Sequence, residues 1–247
     1  MNYDYCFGNN YYQYYGKKGI KSTIYNIMAP EQEQNVQPGL EYLMNPLPIF
    51  DNPKYKGSNK LKDKVAIITG GDSGLGRACS IAFIKEGAKV VIVYLNEEKD
   101  AYDTKKYIES LGGICYLIKG DITDHSFCKK IVMNTINKFG KIDILVNNAG
   151  VQYQQDKLDY ISDEQFDYTM KVNIYVMFYL KKEVIPYLKS GASIINLSSV
   201  TTFYGDPQLI DYVTTKGAIV GFTRSLARNL ALKNIRVKAI APGFFWT

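Results

Sequence analysis

The sequence predicts an α/β protein built on a doubly wound parallel sheet, preceded by an irregular N-terminal extension. From Leu61 onward, short β-branched runs alternate with longer amphipathic stretches. This alternation is typical of parallel strands joined by right-handed helical crossovers. The runs are apolar throughout, as expected of strands covered on both faces. The first run also passes directly into a glycine-rich turn, TGGDSGLG, which an amphipathic stretch follows.

Six segments have the length and composition of buried strands, and helical stretches separate them. Together they predict a Rossmann-type sheet, in which ligands bind beyond the carboxyl ends of the strands. The strands are predicted at 65–69, 89–94, 114–118, 142–146, 193–197 and 235–240, and the helices at about 75–87, 98–111, 124–139, 163–189 and 208–232.

Residues 1–60 have no sustained strand or helix period, so we interpret them as an extension of the domain at 61–247. The opening is rich in tyrosine, and we interpret it either as a disordered tail or as an adhesive, self-associating segment. Residues 37–61 differ, because they mix large apolar residues with prolines. This second part is predicted to be an extended arm, packed on its own domain or on a neighbouring subunit.

Composition excludes several classes of function. The net charge is +6, and the lysines are spread among acids, which argues against a nucleic-acid partner. No run approaches the roughly 18 apolar residues that a membrane span needs, so we expect a cytoplasmic protein without a membrane partner. The four cysteines are scattered, and His125 is the single histidine. No metal site and no histidine-based nucleophile are therefore predicted.

The glycine-rich turn predicts a nucleotide site. Gly70, Gly74 and Gly76 allow a tight turn that can approach a pyrophosphate, and the helix that follows offers free N–H groups. The spacing differs from G-x-G-x-x-G, and an ordinary turn remains the alternative. No Gly-Lys-Ser/Thr follows, which excludes a Walker-type loop.

Tyr212 and Lys216 lie four residues apart on a predicted helix, and Ser199 precedes them at a strand end. Residues at i and i+4 share a helix face, so the ammonium can favour the phenolate and lower the pKa of the phenol. This arrangement predicts an acid/base tyrosine. The alternative is a solvated helix face that carries both residues by chance.

From about Leu61 to Thr247 the sequence resembles the short-chain dehydrogenase/reductase family. T-G-x-x-x-G-x-G matches Thr69 to Gly76, N-N-A-G matches residues 147–150, and P-G-x-x-x-T matches Pro242 to Thr247. The resemblance implies a catalytic set of Asn173, Ser199, Tyr212 and Lys216. It implies cofactor contacts at Thr69, Gly70, Asp72, Ser73, Gly74, Leu75, Gly76, Asp121, Ile122, Asn148, Ala149, Gly150, Tyr212, Lys216, Pro242, Gly243 and Thr247.

The family mechanism gives each catalytic residue a role. Tyr212 would exchange a proton with the substrate oxygen while nicotinamide exchanges hydride with the same carbon. Ser199 would polarise that oxygen, and Asn173 would fix a water in a proton relay. Lys216 would lower the pKa of the tyrosine and hold the nicotinamide ribose.

The cofactor is expected to be NAD or NADP, with a lean to NAD. Glu97 and Glu98 follow the second strand, and Asp72 lies in the glycine turn. No arginine or lysine occupies the position that usually accepts the 2′-phosphate of NADP. These acids would repel a 2′-phosphate. Alternatively, Glu97 and Glu98 only favour the start of the next helix.

The sequence stops at Thr247, before the loop, helices and last strand that complete family members. Two functions therefore remain open: an NAD(P)-dependent oxidoreductase acting on an alcohol, sugar or ketone, and a catalytically impaired dinucleotide-binding or interaction protein. The resemblance is to bacterial general-stress and glucose-dehydrogenase-like members, and it implies a homodimer or homotetramer. Tyr153, Phe203 and Tyr204 are predicted to line a substrate pocket or to pack.

Overall fold

The computed structural model describes Gln32, Gln34 and residues 36–247. The tyrosine-rich opening lies outside these residues, so its prediction is not tested. Six parallel strands form one sheet in the order β3-β2-β1-β4-β5-β6. The doubly wound parallel sheet predicted from the sequence is therefore confirmed. The strands are β1 (Val65–Thr69), β2 (Lys89–Tyr94), β3 (Ile114–Lys119), β4 (Ile142–Asn147), β5 (Leu188–Leu197) and β6 (Arg236–Ile240).

Helices cover both faces of the sheet, and the central strand β1 is buried along its whole length. The strand order runs outward from β1 to β3 and then restarts at β4, which pairs with β1 on its other side. The crevice between the ends of β1 and β4 is therefore the place where such a sheet binds ligands. The helices are α1 (Gly74–Lys85), α2 (Glu98–Ser110), α3 (His125–Phe139), α4 (Asp163–Met170), α5 (Val176–Val184), α6 (Thr201–Tyr204) and α7 (Ile210–Leu230).

Two apolar clusters hold the layers together. One joins Ile68 and Ile92 of the sheet to Ile81 of α1 and Ile108 of α2. The other covers the opposite face and brings together side chains from α3, α5 and α7. Within residues 36–247 no helix is long and apolar enough to cross a bilayer.

The single helix predicted at 163–189 is wrong in detail. After α4 the backbone widens into a π turn at Lys171–Tyr175 before α5 begins. Pro186 lies in a 3-10 turn at Ile185–Tyr187, and β5 then starts at Leu188, earlier than predicted. Proline lacks an N–H and cannot continue the hydrogen-bond ladder, which accounts for the early end of the helix.

The arm runs along the outer surface of α1 and α2 on its own domain. Phe50 packs edge-on against Tyr107 of α2, with ring centroids 5.2 Å apart. Asp51 pairs with Lys85 of α1 at 2.5 Å. Leu61 donates its amide to the Glu86 carbonyl at 2.9 Å. These contacts anchor the arm on α2 and at the C-terminal end of α1.

Candidate active site

The turn after β1 depends on glycine at three positions. Gly70 and Gly74 have φ values of +60° and +50°, in the left-handed region that favours glycine. A Cβ at Gly76 would lie 1.8 Å from the Gly70 carbonyl oxygen, so only hydrogen fits there. The first turn of α1 therefore packs directly against the end of β1.

Side chains at the end of β1 and just after β4 lock this turn in place. The Thr69 hydroxyl accepts hydrogen bonds from the amides of Asn148 at 3.0 Å and Ala149 at 3.1 Å. The Asn148 side chain donates to the carbonyls of Thr69 at 3.0 Å and Gly70 at 2.9 Å. Both residues were predicted as cofactor contacts, and here they join the ends of β1 and β4.

The amides of Leu75 and Gly76 have no protein acceptor within the part of the chain that the structure describes. They lie in the first turn of α1, where N–H groups have no partner inside the helix. The close approach at Gly76 leaves backbone rather than side chain at this point. These features fit the phosphates of a dinucleotide.

Acidic side chains are packed beside the turn. Asp72 is buried, and burial together with the nearby Glu97 carboxylate raises its pKa to about 7. Glu97 is also buried and bends back to accept the amides of Leu95 at 3.2 Å and Asn96 at 3.0 Å. Glu98 begins α2 and pairs with Lys119 at 2.6 Å. Of the two predicted acids after β2, Glu97 is therefore held inside the turn that follows β2, and Glu98 lies at the surface.

Asn173 lies in the π turn and fastens the end of β4 to α7. Its Oδ1 accepts the Val151 amide at 2.9 Å, and its Nδ2 donates to the Val151 carbonyl and to Thr215 Oγ1, each at 3.0 Å. A Cβ at Gly150 would lie 3.1 Å from Asn173 Oδ1 and 3.4 Å from Lys216 Nζ. Asn173, Gly150 and Lys216 thus converge at one point.

Lys216 is buried and donates from Nζ to the Leu197 carbonyl at 2.9 Å. Burial lowers the pKa of this lysine to about 8. Its Nζ lies 5.2 Å from the ring centroid of Tyr212, so the two side chains are adjacent, as the i, i+4 spacing predicts. No second protein acceptor of this ammonium lies within the part of the chain that the structure describes.

The expected lowering of the tyrosine pKa is wrong for this structure. Burial raises the pKa of Tyr212, and Tyr204 adds to this, while the Ser199 hydroxyl beside the phenol acts in the opposite direction. The nearby ammonium of Lys216, which donates to a backbone carbonyl, does not reverse this effect of burial on the Tyr212 pKa. The structure does bring Ser199 and Tyr212 together.

Asp211 anchors the start of α7, on which Tyr212 sits. Its carboxylate is fully buried and accepts from Gln165 at 3.0 Å, Thr169 at 2.8 Å and the Tyr212 amide at 2.8 Å. Sequence reasoning missed this residue, and it also missed Thr215, which links Asn173 to the Tyr212 carbonyl. A weak signal existed, because DYVTT places both residues beside the tyrosine in a helix.

Ser199 is buried and accepts from the amide of Thr201 at 3.2 Å and from its hydroxyl at 2.9 Å. The hydroxyl of Ser198, which sequence reasoning also missed, donates to the Lys216 carbonyl at 2.9 Å and links β5 to α7.

The other predicted positions are more scattered. Asp121 is exposed and accepts the Thr123 amide at 2.8 Å, next to the half-buried Ile122. The Pro242 carbonyl accepts the Val200 amide at 3.0 Å, and Gly243 is exposed. A Cβ at Gly74 would lie 3.1 Å from the Thr247 side chain, so the last residue reaches the glycine turn.

The three predicted pocket residues differ in exposure. Tyr153 is half-buried, and its ring centroid lies 6.4 Å from that of Tyr168. Phe203 and Tyr204 are 70 % and 67 % exposed, so neither packs in the core.

Comparisons with known proteins agree with this geometry. A family model described as short chain dehydrogenase matches residues 64–247. General stress protein 39 of Bacillus subtilis is 51% identical over 218 residues, which cover 88% of this chain and 76% of that protein. The NADPH-dependent aldehyde reductase 1, chloroplastic, of Arabidopsis thaliana is 43% identical over 227 residues, covering 90% and 79%.

A solved structure gives the same result at lower identity. The short chain dehydrogenase from Burkholderia cenocepacia in complex with NADP is 31% identical, with a TM-score of 0.72. The match covers 74% of this chain and 75% of that one. The chain therefore belongs to the short-chain dehydrogenase family of oxidoreductases.

Proposed function

We propose that the protein is an NAD(P)-dependent oxidoreductase that interconverts an alcohol and a carbonyl compound, with Tyr212 as its acid/base. The observation that supports this most is the convergence of Ser199, Tyr212 and Lys216 beside the crevice where β1 and β4 diverge. When bound, the nicotinamide supplies or accepts the hydride.

The chain's own residues divide the remaining work. In the reductive direction Tyr212 donates a proton to the carbonyl oxygen, and a pKa raised by burial keeps the phenol protonated for this task. Ser199 donates a hydrogen bond to the same oxygen. Lys216 holds the ribose through its free N–H groups. Asn173 keeps Gly150 and the end of β4 in place, and its predicted role in a water relay remains part of the proposal.

The preference for NAD is a separate part of the proposal and rests on charge. Asp72 and Glu97 are buried beside the turn, and Arg77, in the first turn of α1, is paired with Glu41 at 2.6 Å. No free base therefore faces a 2′-phosphate within the described turn. A relative is named for NADPH, so competition between NADH and NADPH decides this point directly.

The substrate is proposed to be a small alcohol, sugar or ketone, and the assembly a homodimer or homotetramer. Phe178 on α5 is 48% exposed and lies edge-on to Phe222 of α7, with centroids 6.5 Å apart. An apolar surface of this kind supports pairing between subunits. Light scattering at micromolar protein should give at least twice the 28.0 kDa chain mass.

The decisive experiment is turnover on a panel of aldehydes, ketones and sugars with NADH and with NADPH, followed by loss of the reduced nicotinamide absorbance. Turnover that disappears in Tyr212→Phe supports the proposal. Saturable cofactor binding without turnover on any member of the panel would instead favour the catalytically impaired dinucleotide-binding protein.

A further inference from the structure

A carboxylate from the arm lies at the N-terminus of α1. Glu41 is 4% exposed, although it comes from an irregular segment 33 residues before the turn. Its Oε2 accepts the Gly74 amide at 2.5 Å, and its Oε1 pairs with Arg77 Nη1 at 2.6 Å. The first amide of α1 is therefore held by a residue outside the glycine motif.

The same stretch of the arm is tied to the start of α2. The amides of Glu41 and Tyr42 donate to the two carboxylate oxygens of Asp100, at 2.9 and 3.1 Å. Asp100 is buried in the first turn of α2. The arm thus crosses the N-termini of both helices and joins them through one carboxylate on each side.

Arg77 is fixed from two directions. Besides its pairing with Glu41, its guanidinium carbon lies 3.6 Å from the ring centroid of Phe50. This cation compensates the charge of Glu41 locally, so the carboxylate does not present an unpaired charge to the turn. Glu41 is therefore held by Gly74, by Arg77 and by Asp100, and it is an integral part of the packing.

Fixing Gly74 has a consequence for the next two amides. Leu75 and Gly76 follow it directly, and their N–H groups are the ones without protein acceptors in the described chain. Because consecutive peptide planes in a helix turn share one geometry, holding the first amide also sets the direction of the following two. Preorganised donors bind an anion without a further ordering cost.

We propose that Glu41 is a positioning residue for the dinucleotide phosphates, acting through Gly74 and Arg77 rather than by touching the ligand. The proposal rests on the proposed function, since it assumes that Leu75 and Gly76 donate to a phosphate. It extends the nucleotide site to the arm, which lies outside the residues matched by the family model.

The first test is cofactor affinity in Glu41→Ala and Glu41→Gln, measured by nicotinamide fluorescence with NADH and NADPH. We expect the Kd to rise about tenfold in the alanine variant and less in the glutamine variant, whose amide oxygen can still accept from Gly74. Asp103→Asn is the matched control, because this acid of α2 pairs at the surface with Lys99 and should leave the Kd unchanged. At saturating cofactor, kcat should stay near its wild-type value while the cofactor KM rises.

The second test needs no cofactor. Amide hydrogen exchange at Gly74 should accelerate in Glu41→Ala, while the amides of Ile67 and Ile68 in β1 keep their protection. If the wild type binds neither nucleotide, the proposed function fails, and the exchange at Gly74 alone then decides whether Glu41 fixes the turn.

Two results would overturn the positioning role. Unchanged Kd and unchanged Gly74 exchange in Glu41→Ala would mean that the turn holds itself. A lower Kd in that variant would mean that the carboxylate competes with phosphate for the amide. Should the alanine variant fail to fold, Glu41→Leu, which keeps apolar bulk but offers Gly74 no acceptor, replaces it in both tests.

Discussion

The phosphate-binding turn and the catalytic group lie at the same edge of the sheet but are built differently. The turn presents backbone amides, and its supports come from β4, from α2 and from the arm. The catalytic group presents side chains, and the contacts that support it join elements that all lie between Gly150 and Lys216. The turn is therefore held by other parts of the chain, and the catalytic group by contacts among the elements that carry it.

The two regions share one electrostatic feature. Each region buries a group that is charged in water, and burial shifts the pKa of each group in the direction that favours its neutral form. The pKa of Asp72 rises to about 7, and that of Lys216 falls to about 8. Near neutral pH both groups are thus close to titration, which makes pH a useful probe of each region.

Removing the phenolic hydroxyl of Tyr212 should have the largest effect, and it should lower turnover without weakening cofactor binding. Tyr212→Phe should lower kcat by about 10²- to 10⁴-fold, because the general acid is lost, and leave the cofactor Kd within about twofold. Tyr187→Phe is the control, since its phenol lies away from the site beside Met133. Equal losses of turnover and affinity would contradict the assignment of Tyr212 to the substrate.

Adding a methyl group to the glycine turn should lower the affinity for the cofactor. Gly76→Ala places a Cβ against the Gly70 carbonyl, so the turn must shift, and we expect cofactor affinity to fall by more than about tenfold. Gly221→Ala is matched to it, because nothing lies within 4 Å of the added Cβ on α7. This control should keep its affinity and gain up to about 1 kcal/mol of stability from helix propensity. Normal affinity in Gly76→Ala would place the phosphates elsewhere.

Lys216→Ala should weaken both turnover and cofactor affinity, the latter by about tenfold, because one ammonium serves both. In the wild type, affinity should fall as the pH rises through about 8, where Lys216 loses its proton. The variant should lose this pH dependence. An unchanged Kd in Lys216→Ala would remove the ribose contact from the account.

The smallest effect is expected from Asp72→Asn on stability. The pKa of Asp72 is higher in the folded chain than in the unfolded one, so the folded state binds more protons between about pH 4 and 7 and stability falls as the pH rises through that range. Asparagine does not ionise, so the Asp72→Asn variant does not lose stability in this way as the pH rises. Its Tm relative to wild type should therefore rise by several degrees between about pH 5 and pH 8, and thermal unfolding at both values checks the sign.

Sequence reasoning succeeded where the determinant is local. The glycine turn follows from the spacing of three glycines, and the adjacency of Tyr212 and Lys216 follows from the helical repeat. The resemblance to the family, rather than a local pattern, predicted that Ser199 and Tyr212 meet. Pro186 carried a local signal for the end of a helix, which the prediction at 163–189 did not use.

The remaining features depend on contacts that a local pattern does not encode. The pKa of Tyr212 rises because neighbouring elements bury the phenol, and the i, i+4 spacing says nothing about burial. Glu41 reaches Gly74 across 33 residues, and no periodicity marks it. Asp211 resembles an ordinary helix-start acid until α4 is placed beside it.

Titration of the purified chain with NADH and with NADPH, followed by nicotinamide fluorescence, is the most direct test of the dinucleotide site at the glycine turn. We expect saturable binding, tighter for NADH, with affinity lost in Gly76→Ala and retained in Tyr212→Phe. A folded chain that binds neither nucleotide would contradict the dinucleotide site.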